Sequence, residues 1–387
     1  MVAQSWLVYR LTGSAALLGA MGFASQFPVA VMAPLGGLIA DRHNRHRIVI
    51  VTQTAAMIEA AILAALTLSG RLHVWQLFVL AGLLGVINAF DIPARQSFLI
   101  DMVGKEDLMN AIALNSSMFN GARVVGPAIA GVLVAAIGEG WCFFANAVSF
   151  IAVIVGLLLM KIAPRPIAGT EQTPLEHLRE GFRWVRGTRP IRSVLLLLGL
   201  ISLVGMPYAV LMPIFAGTIL HGGARGLGIL MGSTGVGALA GALTIAAKRS
   251  TRGLGRWITL AAAGFGVSMI LFSLSRLFWL SVLLLFPLGF AMMVQMASSN
   301  TLIQTIVPDR LRGRVMAVYS MMFLGVAPFG ALGAGLIAHA LGAPTALLLG
   351  GLGCICGTVV LGRRLTNLHG EVREAILAQQ TAGESLE

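Results

Sequence analysis

Apolar runs 17 to 30 residues long, each closed by a short polar or basic loop, repeat along almost the whole chain. A helix needs about 20 apolar residues to cross the hydrocarbon layer of a bilayer. Eleven stretches approach or exceed that length: 15–40, 48–68, 74–90, 108–137, 141–160, 193–218, 227–247, 257–274, 278–306, 315–340 and 343–361. The pattern predicts a transmembrane helix over each. The opening residues MVAQSWLVYRL are apolar too, but the turn signal Thr12-Gly13-Ser14 ends them. At 1.5 Å per residue they reach about 16 Å, half a crossing. Either a short segment is embedded here from one side or a first helix is truncated at the N-terminus, and truncation is the expectation because it brings the crossings to twelve. The expected fold class is all-α integral membrane.

Composition sharpens this picture. Of 387 residues, 57% are apolar types and 11% are charged, with a mean hydropathy of +0.88, whereas soluble domains carry charge on roughly a quarter of their residues. So few charges cannot clothe a soluble core of that size. Disordered, collagen-like and disulfide-built classes are excluded as well. Cys142, Cys354 and Cys356 all lie in apolar runs and read as small buried hydrophobes.

The net charge of +12 brings nucleic acid to mind, but its distribution speaks of topology. Alternating sides groups the loops 41–47, 91–107, 161–192, 248–256 and 307–314 with the tail after 362, and together these hold 22 of the 27 Lys and Arg. The opposite loops hold Arg71, Arg225 and Arg276. Basic loops mark the cytoplasmic face. The expectation is a multi-pass protein of the cell (inner) membrane with a cytoplasmic C-terminus, whose partner is the lipid bilayer and not nucleic acid.

The long polar connection, 161–192, falls at mid-chain. It divides the sequence into an N-terminal helix bundle (1–160, its first helix partial), a cytoplasmic linker (161–192), a C-terminal bundle (193–362) and a cytoplasmic tail (363–387). Within the linker, Leu175, Leu178, Phe182 and Val185 alternate at helical spacing with Glu176, Arg179, Arg183 and Arg186. That predicts an amphipathic helix lying on the inner leaflet, although a solvated linker helix fits the same pattern.

Shifting the sequence by 204 positions aligns the halves without a gap. Gly85 meets Gly289, Ser116 meets Ser320, Phe119 meets Phe323, Gly126 meets Gly330, and Gly131 meets Gly335. An even number of helices separates equivalent positions, so the halves share one orientation, related by an axis along the membrane normal.

Few residues in the spans can carry chemistry. Glu59 and Arg123 sit near the middle of apolar runs, where a charge costs at least about 2.5–3.5 kcal/mol unless it is paired or wetted. Glu59 could load and release a proton, or be a hydrogen-bonded structural residue. Arg123 cannot discard its charge and needs a carboxylate, carbonyls, water or an anionic substrate. Asp91, a second proton-coupling candidate, stands at i, i+4 to Arg95, a spacing that suits a structural or gating ion pair. Gly121, Gly126, Pro127 and Gly131 give either a pliable helix surface or plain tight packing, and Gly237 with Gly241 invites the same two readings. The G-x-G-x-x-A matches at 235–240 and 333–338 lie inside long apolar runs with no preceding strand, so they are not dinucleotide sites. His43 and His46 are too few for a metal, and no Walker A sequence is present.

The loop Gly37-Leu-Ile-Ala-Asp41-Arg42-His-Asn44-Arg45-His46-Arg47 resembles the G-x-x-x-D-R-x-G-R-[RK] loop of the major facilitator superfamily. Asn44 stands for a glycine and is expected to hold a left-handed turn. Asp41 could cap a neighbouring helix, and Arg45 and Arg47 could pair with carboxylates or helix C-termini. The segments 90–96, 120–127 and 307–316 (FDIPARQ, NGARVVGP and VPDRLRGRVM) look like those of the exporter branch that includes the transmembrane secretion effectors.

The resemblance implies two six-helix bundles and a cytoplasmic gating loop of Gly37, Asp41, Arg42, Arg45 and Arg47. It also implies a substrate cavity lined from the first, fourth, seventh and tenth helices by Gln4, Asn88, Asp91, Arg95, Tyr208 and Gln295. The function it implies is proton-coupled export of an amphipathic small molecule, such as a siderophore or drug, by alternating access. No cofactor beyond the proton gradient is expected, and a monomer is. A lipid or lysophospholipid transporter of the same fold is the alternative. A membrane-embedded enzyme or receptor would need a catalytic cluster that the sequence lacks.

Overall fold

The computed structural model describes residues 2–104, 106–160, 174–248 and 253–366. The first part of the expected linker (161–173), most of the basic loop at 249–252 and the tail from 367 lie outside the described residues. Within them the chain is helical almost throughout. α1 spans Val2–Thr12, α2 Ala15–Arg42, α3 Arg45–Leu68, α4 Val74–Val103, α5 Leu108–Leu159 and α6 Pro174–Gly187. α7 runs Arg189–Ile219, α8 Gly223–Ala246, α9 Leu254–Leu274, α10 Phe278–Ile306, α11 309–341 and α12 Ala343–Thr366.

Local chemistry sets the boundaries. Ser14 starts α2 by accepting from the Leu17 amide at 3.3 Å, and Gln76 closes a capping box at the start of α4 by accepting from His73 N at 2.8 Å, each meeting an amide that the helix leaves unpaired. Gly138, at φ +80° and ψ 167°, interrupts α5 in a conformation that a side chain disfavours. The predicted fifth and sixth spans are therefore its two limbs, 108–137 and 139–159, and among the described residues ten helices are long and apolar enough to cross a membrane. α7 and α11 depart from regular α geometry in π-helical turns at Ile201–Gly205, Phe215–Ile219 and Met321–Gly325. No periodicity announced these.

Two compact units form. One comprises Met1–Glu171, Ala209–Gly232 and Ala331–Ala343, and the other Gln172–Tyr208, Ser233–Gly330 and Pro344–Glu387. In the first, Leu7 and Val8 of α1, Leu18 and Met21 of α2, Leu63 of α3, Leu77 and Ala81 of α4 and Val134 and Phe143 of α5 make one buried cluster. A smaller cluster of Ala40, Val49, Ala94, Phe98 and Leu157 sits at the opposite end of the same helices. The second unit buries Phe265 and Phe272 completely. Large apolar side chains elsewhere stay exposed, among them Val51, Trp75, Leu159, Trp279 and Leu283, as a lipid-facing surface requires and a soluble one does not tolerate.

Glycines set the closest crossings. A Cβ at Gly85 of α4 would fall 2.5 Å from the Ser25 carbonyl oxygen of α2, and its repeat partner Gly289 of α10 presses on the Thr234 carbonyl of α8. Gly131 and Gly335, also one repeat apart, each abut another glycine. A Cβ on Gly335 would lie 2.6 Å from the Gly19 Cα of α2, and one on Gly228 of α8 would lie 2.8 Å from the Gly131 Cα.

The helix α6 lies in the described part of the expected linker, and the side chains of Leu175 and Leu178 lie outside the described set. Gly181 and Val185 are buried, and a Cβ at Gly181 would come within 2.6 Å of the Arg314 carbonyl oxygen. Glu180 forms an ion pair with the Arg314 side chain. α6 docks through Gly181 on the start of α11, because a missing side chain lets two helix backbones meet.

Candidate functional site

The loop joining α2 to α3 is organised around Arg45. Its guanidinium reaches Asp101 of α4 at 3.2 Å and Asp41 at 3.6 Å, and it donates to the carbonyls of Ala40 and Ser97, each at 3.3 Å. One arginine fork thus ties three helices together at the linker side, with Asp101 as the principal carboxylate and Asp41 half exposed. Asp41 does not cap α3. Asn44 does, accepting from the Arg47 amide at 3.1 Å, and its φ of −66° and ψ of 108° are extended. The expected left-handed turn is absent because a capping residue needs β-region backbone to aim its side-chain oxygen at the helix start. His46 donates through Nε2 to the Leu157 carbonyl at 2.7 Å and stacks on Phe98 at 5.4 Å. Arg42 and Arg47 are exposed. The close helix approach falls at Gly36, against the Ala89 carbonyl, while a Cβ on Gly37 would meet nothing within 4 Å.

Deeper in α4, Asp91 is 3% exposed and fully partnered. Thr52 Oγ1 donates to its Oδ1 at 2.7 Å and Gln53 Nε2 donates to the same oxygen at 2.8 Å. Arg95 pairs with its Oδ2 while remaining mostly exposed itself. Three donors thus converge on one carboxylate, in bonds stronger than those between neutral groups. Sequence reasoning found the Asp91–Arg95 spacing but missed Thr52, Gln53 and Asp101. Polar positions on the half-buried faces of α3 and α4 were the signal available.

Glu59, on α3, is buried, and its Oε1 has no hydrogen-bond partner among the described residues. Gln4 of α1 is also buried with its Nε2 unpartnered among them. In the second unit, Gln295 of α10 donates to Ser299 Oγ at 3.3 Å, and its Oε1 and the Ser298 hydroxyl lack partners among the described residues. Tyr208 is buried with its ring edge-on to Phe265 at 6.1 Å. Asn88 is half-buried. The Arg123 side chain lies outside the described set. Gly121 and Gly126 would meet nothing with an added Cβ, unlike Gly131, and Pro127 contributes its carbonyl to the Gly228 crossing. Gly237 and Gly241 both pack on α10 backbone.

At the far ends of the helices from the linker, Arg10 of α1 grips Glu139 through two bonds of 2.8 and 3.1 Å. Next to it the Tyr9 hydroxyl lies 2.8 Å from Thr218 Oγ1, its ring resting on Gly217. The sequence reading passed over Glu139, which sits at the interruption between two spans. Groups of three or more metal-ligating side chains do not occur among the described residues.

Long apolar helices with exposed apolar faces, buried carboxyls and a basic loop clamp define a multi-pass membrane protein of the major facilitator fold. Solved structures agree on the fold. A point mutant of the nucleoside transporter NupG superposes with a TM-score of 0.74 at 15% identity over 95% of this chain and 94% of that one. A D-xylose–proton symporter gives 0.71 at 11% over 93% and 92%. The chain belongs to the transmembrane secretion effector family, whose family model matches residues 1–379. Among its relatives, the staphyloferrin A transporter of Staphylococcus aureus is 26% identical over 93% of this chain and 90% of that protein. The enterobactin exporter EntS of Citrobacter koseri is 26% identical over 96% and 84%.

Proposed function

We propose that this protein is a secondary transporter that exports an amphipathic small molecule, such as a siderophore or drug, from the cytoplasm by alternating access. Proton entry drives it, no further cofactor takes part, and it is not an enzyme. The likeness to the siderophore transporters named above, over nearly the full chain, supports the cargo class. The observation that carries the proton part is Glu59, a carboxyl buried at mid-span with an oxygen that no described neighbour satisfies. Burying an unpaired charge at that depth is costly, so a carboxyl there suits loading and releasing a proton. Asp91, saturated by three donors, suits a fixed charge that aims Arg95. The Arg45 clamp serves as the cytoplasmic latch, and Gln4, Asn88, Tyr208 and Gln295 supply polar contacts to the cargo. The bundles 1–160 and 193–362 are the two moving halves, monomeric in action, with the C-terminus in the cytoplasm.

The test begins with a deletion strain, whose secreted metabolites identify the compound that stays inside. That compound is then followed in proteoliposomes with an imposed pH gradient. Glu59→Gln abolishes gradient-driven transport and retains substrate exchange, because the amide mimics the protonated acid. Undiminished gradient-driven transport by that variant would remove Glu59 from the mechanism.

A further inference from the structure

The linker helix α6 has two lateral edges with different fates. One edge, Gly181 and Val185, is buried against α11, with Glu180 engaged by Arg314. On the other, Arg179, Arg183 and Arg186 are exposed. At 100° per residue these three fall within an arc of about 60°, forming one cationic stripe. Phe182, half-buried, borders it.

The depth of this stripe follows from what holds the helix. α6 ends at Gly187 and the spanning helix α7 begins at Arg189. Arg192, in the first turn of α7, donates back to the Arg186 carbonyl at 3.4 Å. Gly181 rests on Arg314, five residues after α11 starts at Asp309. α6 is therefore pinned at the level where two membrane helices start, which is the level of the lipid headgroups. Arginines beside an apolar ring at that level match an anionic interface, with stems along acyl chains and guanidinium forks on phosphate oxygens.

We propose that the Arg179–Arg183–Arg186 face of α6 is a binding surface for the headgroups of anionic phospholipids, so that the linker is held on one side by α11 and on the other by the bilayer. Each arginine at an anionic surface contributes several-fold in affinity, and three together about a hundredfold.

The test uses the full chain purified in detergent and titrated with phosphatidylglycerol or phosphatidylcholine, retained lipids being counted by native mass spectrometry. The parent protein retains phosphatidylglycerol in preference to phosphatidylcholine, and inorganic phosphate at millimolar concentration does not displace it. The triple variant Arg179→Gln, Arg183→Gln, Arg186→Gln loses that preference by about a hundredfold, and the corresponding triple lysine variant keeps most of it. Single glutamine variants give graded losses and serve if the triple variant does not fold. Equal retention of the two lipids by the parent, unchanged preference in the glutamine variants, or displacement by free phosphate would each overturn the proposal. None of these readouts depends on transport, so the result stands apart from the proton-coupled export proposed above.

Discussion

Replacing Thr52 by valine probes the Asp91 network with little change of shape. The Thr52 hydroxyl has one proton and two acceptors in reach, the Val49 carbonyl at 3.0 Å and Asp91 Oδ1 at 2.7 Å. The shorter, charged acceptor takes it. Removing that donor leaves a buried carboxylate with Gln53 alone on Oδ1, and a hydrogen bond to a charged group contributes about 1.5–3 kcal/mol. Thr52→Val should therefore destabilise by about 2 kcal/mol. With Asp91→Asn already in place, the hydroxyl can turn to Val49 at little cost, and the same substitution should cost about 0.5 kcal/mol, the ordinary value of a neutral bond. A double-mutant cycle, read by unfolding in mixed detergent micelles, should then show a coupling of about 1–2 kcal/mol. Additivity within about 0.3 kcal/mol would refute the assignment of the proton to Asp91.

Gly335→Ala should lower the thermal midpoint, since its Cβ would sit 2.6 Å from Gly19 Cα and overpacking costs about 1–3 kcal/mol, while Gly121→Ala, with nothing near, should raise it through helix propensity. Gly181→Val should lift α6 off α11 and speed proteolysis of the linker, whereas a cleavage rate equal to the parent would contradict the docking. Arg10→Ala should leave Glu139 unpaired and lower the midpoint, and adding Glu139→Gln should recover most of the loss.

Much of this fold was legible because a bilayer fixes helix length, so runs of 17 to 30 apolar residues translate directly into spans. The repeat was legible for a related reason: Gly85 and Gly289 are both places where backbone meets backbone, and no other residue fits. The Arg45 clamp was half legible. The loop named its own residues, but Asp101 arrives from a helix 56 positions on, and hydropathy along one chain says nothing of which faces meet. Asn44 misled because asparagine suits both a left-handed turn and a helix cap, and only the position of the Arg47 amide decides between them. The π-helical turns of α7 and α11 left no trace in composition. The loneliness of the Glu59 oxygen is likewise a property of neighbours, not of spacing.

The paired glycines at Gly19/Gly335 and Gly131/Gly228 also constrain how such a chain can change over generations. At most contacts a residue that grows by a methyl group can be accommodated later by a partner that shrinks. Here neither partner can shrink, because both are already glycine. A mutation at any of these four positions has no second-site remedy across its own crossing, and repair has to come from moving whole helices. Lineages can rebuild the gating loop, exchange polar groups in the spans and recharge the linker one position at a time. These two crossings offer no such stepwise route.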